Sequence, residues 1–146
     1  MIAVAAGLSL AACSGQSATG LDQMVYNATY TGQGTFYRAP ILQHTLPPTQ
    51  PMTVTMTLAQ LGQDFSGTFS VADTLARTIY AGSVTGRSTS AGADITFVVP
   101  SPCAGTLYGT FTVSGGELTG SAIGRDCGGA YGGNDVQITF TNLVRH

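Results

Sequence analysis

Apolar and polar residues alternate with a period of two over most of the chain. Met52, Val54, Met56 and Leu58 alternate with Thr53, Thr55, Thr57 and Ala59, and Phe65, Gly67, Phe69 and Val71 alternate with Ser66, Thr68 and Ser70. The same spacing returns in Tyr80, Gly82, Val84 and Gly86, in Ile95, Phe97 and Val99, and in Leu107, Gly109, Phe111 and Val113. It recurs once more in Leu118, Gly120, Ala122 and Gly124, and in Val136, Ile138 and Phe140. With an earlier segment from Tyr26 to Phe36, the pattern predicts eight strands, each burying one face. No stretch beyond residue 25 carries apolar residues at a helical period, so the expected class is all-β.

The turns set an expected register. A two-residue loop at Gly115-Gly116 suits positive φ at both positions, and it places Val113 opposite Leu118, Phe111 opposite Gly120, Gly109 opposite Ala122 and Leu107 opposite Gly124. A hairpin about Ser90-Ala91 sets Gly86 against Ile95 and Gly82 against Val99. One about Leu61-Gly62 sets Met56 against Gly67 and Leu58 against Phe65. Large side chains therefore tend to meet glycines on the same apolar face. Glycine weakens a flat strand, but in such a row it permits tight coiling and leaves room for bulky neighbours in a narrow interior. This predicts an eight-stranded antiparallel up-and-down β-barrel, with a β-sandwich as the alternative.

The connections are unequal. Residues 37–51, 72–78, 100–106 and 125–135 form long loops at one end of such a barrel, and three tight turns near 61–62, 90–91 and 115–116 form the other. An even strand number sends both chain ends out at the tight-turn end.

Composition narrows the function classes. Charged residues are only 8% of the 146, all five basic residues are Arg, and the formal net charge is −2. A nucleic-acid binder needs a basic stripe, which this chain lacks. The absence of Lys removes Schiff-base chemistry.

The first residues read as an address. Ile2–Leu10 is a short apolar run, at about nine residues too brief to span a bilayer and suited to the core of a signal peptide. It ends in Leu10-Ala11-Ala12-Cys13, which resembles the lipobox of bacterial lipoproteins. The resemblance implies that Leu10, Ala11 and Ala12 guide cleavage and that Cys13 becomes the lipidated N-terminus. It further implies a bacterial cell-envelope location, with Ser14 after the cysteine favouring the outer membrane. No basic residue precedes the apolar run, so the translation start is expected upstream of Met1. The division that follows is a signal peptide at 1–12, a Ser- and Gly-rich tether at 13–25 and one barrel domain at 26–146. A barrel that itself spans the outer membrane is disfavoured by the lipobox, by strands of roughly eight residues and by the lack of Trp and of a terminal aromatic.

In an exported chain the remaining pair, Cys103 and Cys127, reads as a disulfide. The Gly-Gly register leaves them one residue out of opposition, so the bond is expected beyond the ladder, joining two long loops. The loop from Tyr37 to Pro51 holds four of the six prolines together with Arg38 and His44, and it reads as a candidate lid. Phe69, Tyr80, Phe97 and Phe111 are candidate cavity-lining residues, in an interior that is either filled or hollow. Asp126, Asn134 and Asp135 are hard oxygen ligands on a Gly-rich loop, but they lack the spacing of known calcium loops, and no metal or cofactor is expected. Asp73 with Arg77, and Arg125 beside Asp126, read as exposed pairs.

The strand count and loop asymmetry resemble the lipocalin-like and avidin-like meander barrels. Their Trp-containing signatures have no counterpart in this Trp-free chain, so no ligand residues carry over. Size, barrel and disulfide are also similar to the lipid-anchored lysozyme inhibitors, without their inhibitory-loop motif. The expected function is a non-enzymatic lipoprotein whose long-loop rim contacts a protein, glycan or other envelope component. The alternative is a carrier of a small apolar ligand. A catalytic role has no residue pattern behind it.

Overall fold

The computed structural model describes residues 26–40, 49–127 and 133–146. Eight antiparallel strands form a closed barrel in which each strand pairs with the next and the last with the first. They are β1 (Ala28–Pro40), β2 (Gln50–Leu61), β3 (Asp64–Ala72), β4 (Thr78–Thr89), β5 (Gly92–Val99), β6 (Gly105–Ser114), β7 (Glu117–Asp126) and β8 (Asn134–Arg145). No described residue is helical. The sandwich alternative is excluded by the β1–β8 ladder, in which Gln33 faces Thr141 and Thr35 faces Thr139.

Two of the three predicted registers hold as read. Phe111 lies opposite Gly120 and Leu107 opposite Gly124, with Gly115 and Gly116 both at positive φ in the turn. Gly86 lies opposite Ile95 across the turn at residues 90–91. The β2–β3 hairpin differs: Leu58 faces Gly67 and Met56 faces Phe69, because the turn sits one residue later, on Gly62 and Gln63. Gly62 adopts a φ of 63°, and the Gln60 amide donates to its carbonyl oxygen (2.8 Å), which tightens the turn at that position. A turn moved by one residue shifts the pairing by two, an even number, so every side chain keeps its face.

The inward row explains the closure. A Cβ on Gly120 would lie 2.6 Å from Phe111 Cβ, and one on Gly86 would lie 2.7 Å from Phe65 Cε2. The space that a side chain would occupy at these glycines is taken by the neighbouring strand and its ring, which lets the sheet coil tightly around a narrow interior. That interior is filled. Phe69 and Phe97 rings stand 4.4 Å apart, Phe65 and Phe111 5.3 Å, and Tyr30, Met56, Leu107, Leu118, Phe140 and Leu143 are buried between them.

The outer face carries mostly Thr and Ser, some of them paired across strands, as with the Thr29 and Thr57 hydroxyls 3.1 Å apart. An apolar inside and a hydroxylated outside is the inverse of a barrel whose outer wall meets lipid. Strand lengths run from eight to 13 residues, longer in several cases than the sequence pattern indicates. The greatest extension is β1, which continues past Phe36 to Pro40 as partner of β8.

Tyr26 departs from its expected place in the first strand. It lies ahead of β1 and plugs the tight-turn end, with its ring 5.0 Å from Phe111 and 5.3 Å from Phe65. Its backbone N–H donates to Gln60 Oε1 (3.0 Å) and its hydroxyl to Gly92 O (3.3 Å). His146 N donates to Thr29 O at the same end. Residues 26 and 146 thus share the tight-turn end with turns 62–63, 90–91 and 115–116. The far end carries the connections at 73–77 and 100–104, with Pro40, Gln50, Asp126 and Asn134 at the strand ends beside them.

Candidate functional site

The far mouth gathers most of the chemistry of the chain. Arg38 and Asp126 are one hydrogen-bond length apart: Arg38 Nε lies 2.9 Å from Asp126 Oδ2, and the carboxylate is fully buried while the guanidinium is partly exposed. Asn134 Nδ2 donates to Asp126 Oδ1 (3.0 Å), so both carboxylate oxygens are engaged. Arg38 Nη2 lies 2.8 Å from Cys103 Sγ and 2.9 Å from Cys127 Sγ. Those cysteines form the disulfide just beyond the last ladder pair, Gly105 with Asp126. Such a cross-link typically contributes ~2–4 kcal/mol.

Strand parity produces this cluster. Arg38 follows Phe36 on the inward face of β1, and Asp126 follows Gly124 on the inward face of β7, so both side chains turn over the barrel rim. Arg38 is therefore a strand residue closing the mouth beside a buried acid, which corrects its reading as part of a lid loop. Sequence proximity likewise misassigned one of the two ion pairs. Arg125 is adjacent to Asp126 but points outward, and it pairs with Asp135 on β8 (3.2 Å). Asp73 and Arg77 pair as expected (2.7 Å), and Asp73 also accepts from the backbone N–H groups of Leu75 and Arg77. The Arg77 side chain, and then its backbone N–H, hold the Asp73 carboxyl below the usual range.

Tyr80 sits beneath the mouth. Its hydroxyl is buried beside the Asp126 carboxylate. Burial first, and then the negative charge of Asp126, push this phenol well above its ordinary range, so it stays neutral throughout physiological pH. The Tyr80 ring packs on Phe36 (5.1 Å) and on Phe69 (6.1 Å). Of the four candidate cavity-lining residues, Tyr80, Phe69 and Phe97 form one stack descending from the far mouth, while Phe111 belongs to a second group with Phe65 and Tyr26 at the near end. These rings contact one another in a packed core. His44 and Cys13 lie outside the described residues.

The oxygen ligands considered for calcium are divided between two faces. Asp126 accepts from both Asn134 and Arg38 at the mouth, while Asp135 faces outward to Arg125. Cys103, Cys127 and Asp126 bring their donor atoms within 4.8 Å of one another, but the sulfurs are bonded to each other and the Arg38 guanidinium fills the space against all three side chains.

A second feature lies on the outer wall below the far rim. Tyr37, Gln137, Ile123 and Tyr108 occupy one register row across β1, β8, β7 and β6. With Arg125 and Asp135 in the next row, they surround an open groove of about 620 Å³. Ile123 and Tyr108 are 62% and 64% exposed on a surface otherwise rich in hydroxyl groups. This row was not singled out from the sequence. Its signal was present, since Leu107, Gly109 and Phe111 facing inward leave Tyr108 facing out, and the β6–β7 turn aligns it with Ile123.

Comparison of the chain with known protein families, with curated proteins and with solved structures finds no match.

Proposed function

We propose that this chain is an exported, lipid-anchored binding protein, tethered to the bacterial envelope through Cys13 with its far end turned away from the membrane. The observation that carries the reading is the separation of ends. Tyr26, the first described residue after the Ser- and Gly-rich segment, lies at the tight-turn end, opposite the connections at 73–77 and 100–104 and the disulfide. An acyl group on Cys13 would therefore hold the near end and leave the rim free to meet a partner. The disulfide supports export, because such bonds persist in oxidising compartments. A binding role suits a rim whose Arg38–Asp126 pair and disulfide hold the mouth in one shape. A small apolar ligand inside the barrel would compete with rings that contact each other.

Metabolic labelling with an alkynyl fatty acid tests the anchor. Labelled protein is expected in the membrane fraction, and Cys13→Ala should abolish the label and the sedimentation together. Unlabelled, freely soluble wild-type protein would overturn the anchored reading.

A further inference from the structure

The groove on the outer wall has a shape and chemistry that select one class of ligand. Tyr37 and Tyr108 stand at opposite ends of a single register row, three strand spacings of about 4.8 Å apart, with Gln137 and Ile123 between them. Its volume of about 620 Å³ falls among small-ligand sites. The groove is open along its length, so a bound molecule would keep one face in water.

Its charge is balanced internally. Arg125 and Asp135 pair through one contact, Nε to Oδ1 at 3.2 Å. Among the described residues that leaves the terminal guanidinium nitrogens and Asp135 Oδ2 free to donate to and accept from a ligand. A net-neutral groove gives no advantage to an anionic or cationic ligand. It does suit a molecule with an apolar face for two phenol rings and a polar edge for a guanidinium, a carboxylate and an amide. A pyranose ring has that form, with C–H groups on one face and hydroxyls around its edge. An entirely apolar ligand would strip water from the terminal guanidinium nitrogens, Asp135 Oδ2 and the Gln137 amide and give them nothing in return.

We propose that Tyr37, Gln137, Ile123 and Tyr108, with the Arg125–Asp135 pair, bind a neutral oligosaccharide of two or three sugar units on the outer wall of the barrel. Tyr37 and Tyr108 stack on the C–H faces of the terminal sugars, and Arg125, Asp135 and Gln137 hold ring hydroxyls. The inference deepens the reading of this chain as a binding protein by naming a ligand class. It does not depend on the lipid anchor.

The test is a titration of the full-length, ¹⁵N-labelled chain with the trisaccharides chitotriose, maltotriose and mannotriose, followed by amide chemical shifts. At least one should give saturable shifts centred on Tyr37, Tyr108, Ile123 and Gln137. Tyr108→Ala should weaken binding by about tenfold, and Tyr108→Phe, which keeps the ring, should bind nearly as well as the parent. Should alanine at 108 loosen the sheet, Ile123→Ser gives the same readout from the floor of the groove. The proposal is overturned if none of the three sugars gives saturable shifts, if the shifts map elsewhere, or if an oligopeptide binds the groove and the sugars do not. Loss of fatty-acid labelling with sugar binding intact would remove the anchor alone. The converse result would remove the saccharide site alone.

Discussion

Gly109→Val should fail to accumulate as a folded protein. Gly109 faces Ala122 across the β6–β7 ladder, and a Cβ there would press on the Ser121 carbonyl oxygen and lie 2.6 Å from Ala122 Cα. Both obstacles are backbone of a hydrogen-bonded partner strand, which cannot swing aside as a side chain can. Overpacking a core usually costs ~1–3 kcal/mol, and a collision with the ladder itself should exceed that range. A domain of this size has only ~5–15 kcal/mol of total stability, so the variant is expected to be unfolded or largely so. On the same strand, Thr110 points outward and is exposed, and Thr110→Val should change stability by less than about 0.5 kcal/mol. Urea unfolding followed by circular dichroism compares the two. A Gly109→Val protein with the parent's midpoint would show that the inward glycines are not what lets the barrel close.

The second large effect is expected at the far mouth. Arg38→Ala would leave the Asp126 carboxylate fully buried with Asn134 as its remaining side-chain partner. Removing one member of a buried ion pair typically costs ~3–5 kcal/mol, because the other charge stays desolvated. The partial exposure of Arg38 places the expected loss toward the lower end, about 3 kcal/mol. Adding Asp126→Ala should recover part of that loss, so the double variant is more stable than the sum of the single effects predicts. Additive losses in the same urea measurement would mean that the two side chains are close together but not energetically coupled.

The strand order and closure were legible in the sequence for a physical reason. A period of two with glycines interleaved among aromatics specifies which face goes inward and how tightly the sheet must curve, as Phe111 opposite Gly120 illustrates. The β2–β3 turn was misplaced by one residue because Leu61-Gly62 and Gly62-Gln63 are equally plausible from composition. The Gln60 amide bonding back to the Gly62 carbonyl, a contact that composition does not reveal, fixes the observed one. The mouth was less legible. Arg38 and Asp126 are 88 positions apart, and their pairing depends on how far β1 continues past Phe36 toward Pro40. Tyr26 looked like an alternating strand residue, whereas its role as a plug depends on Gln60 and Gly92, which are distant in sequence. The outer groove combines β1, β8, β7 and β6, so its row of side chains becomes visible only once the first and last strands are joined.

That junction underlies everything proposed here. The far mouth pairs β1 with β7 residues across it, the saccharide groove uses β1 beside β8, and the packed interior requires the wall to be complete. Nuclear Overhauser effects in solution test it most directly. Facing residues Gln33 and Thr141, Thr35 and Thr139, and Tyr37 and Gln137 should show cross-strand contacts, with their ladder amides protected from exchange. Missing contacts and rapid exchange along both strands, with the other seven pairings intact, would describe an open sheet and contradict the account.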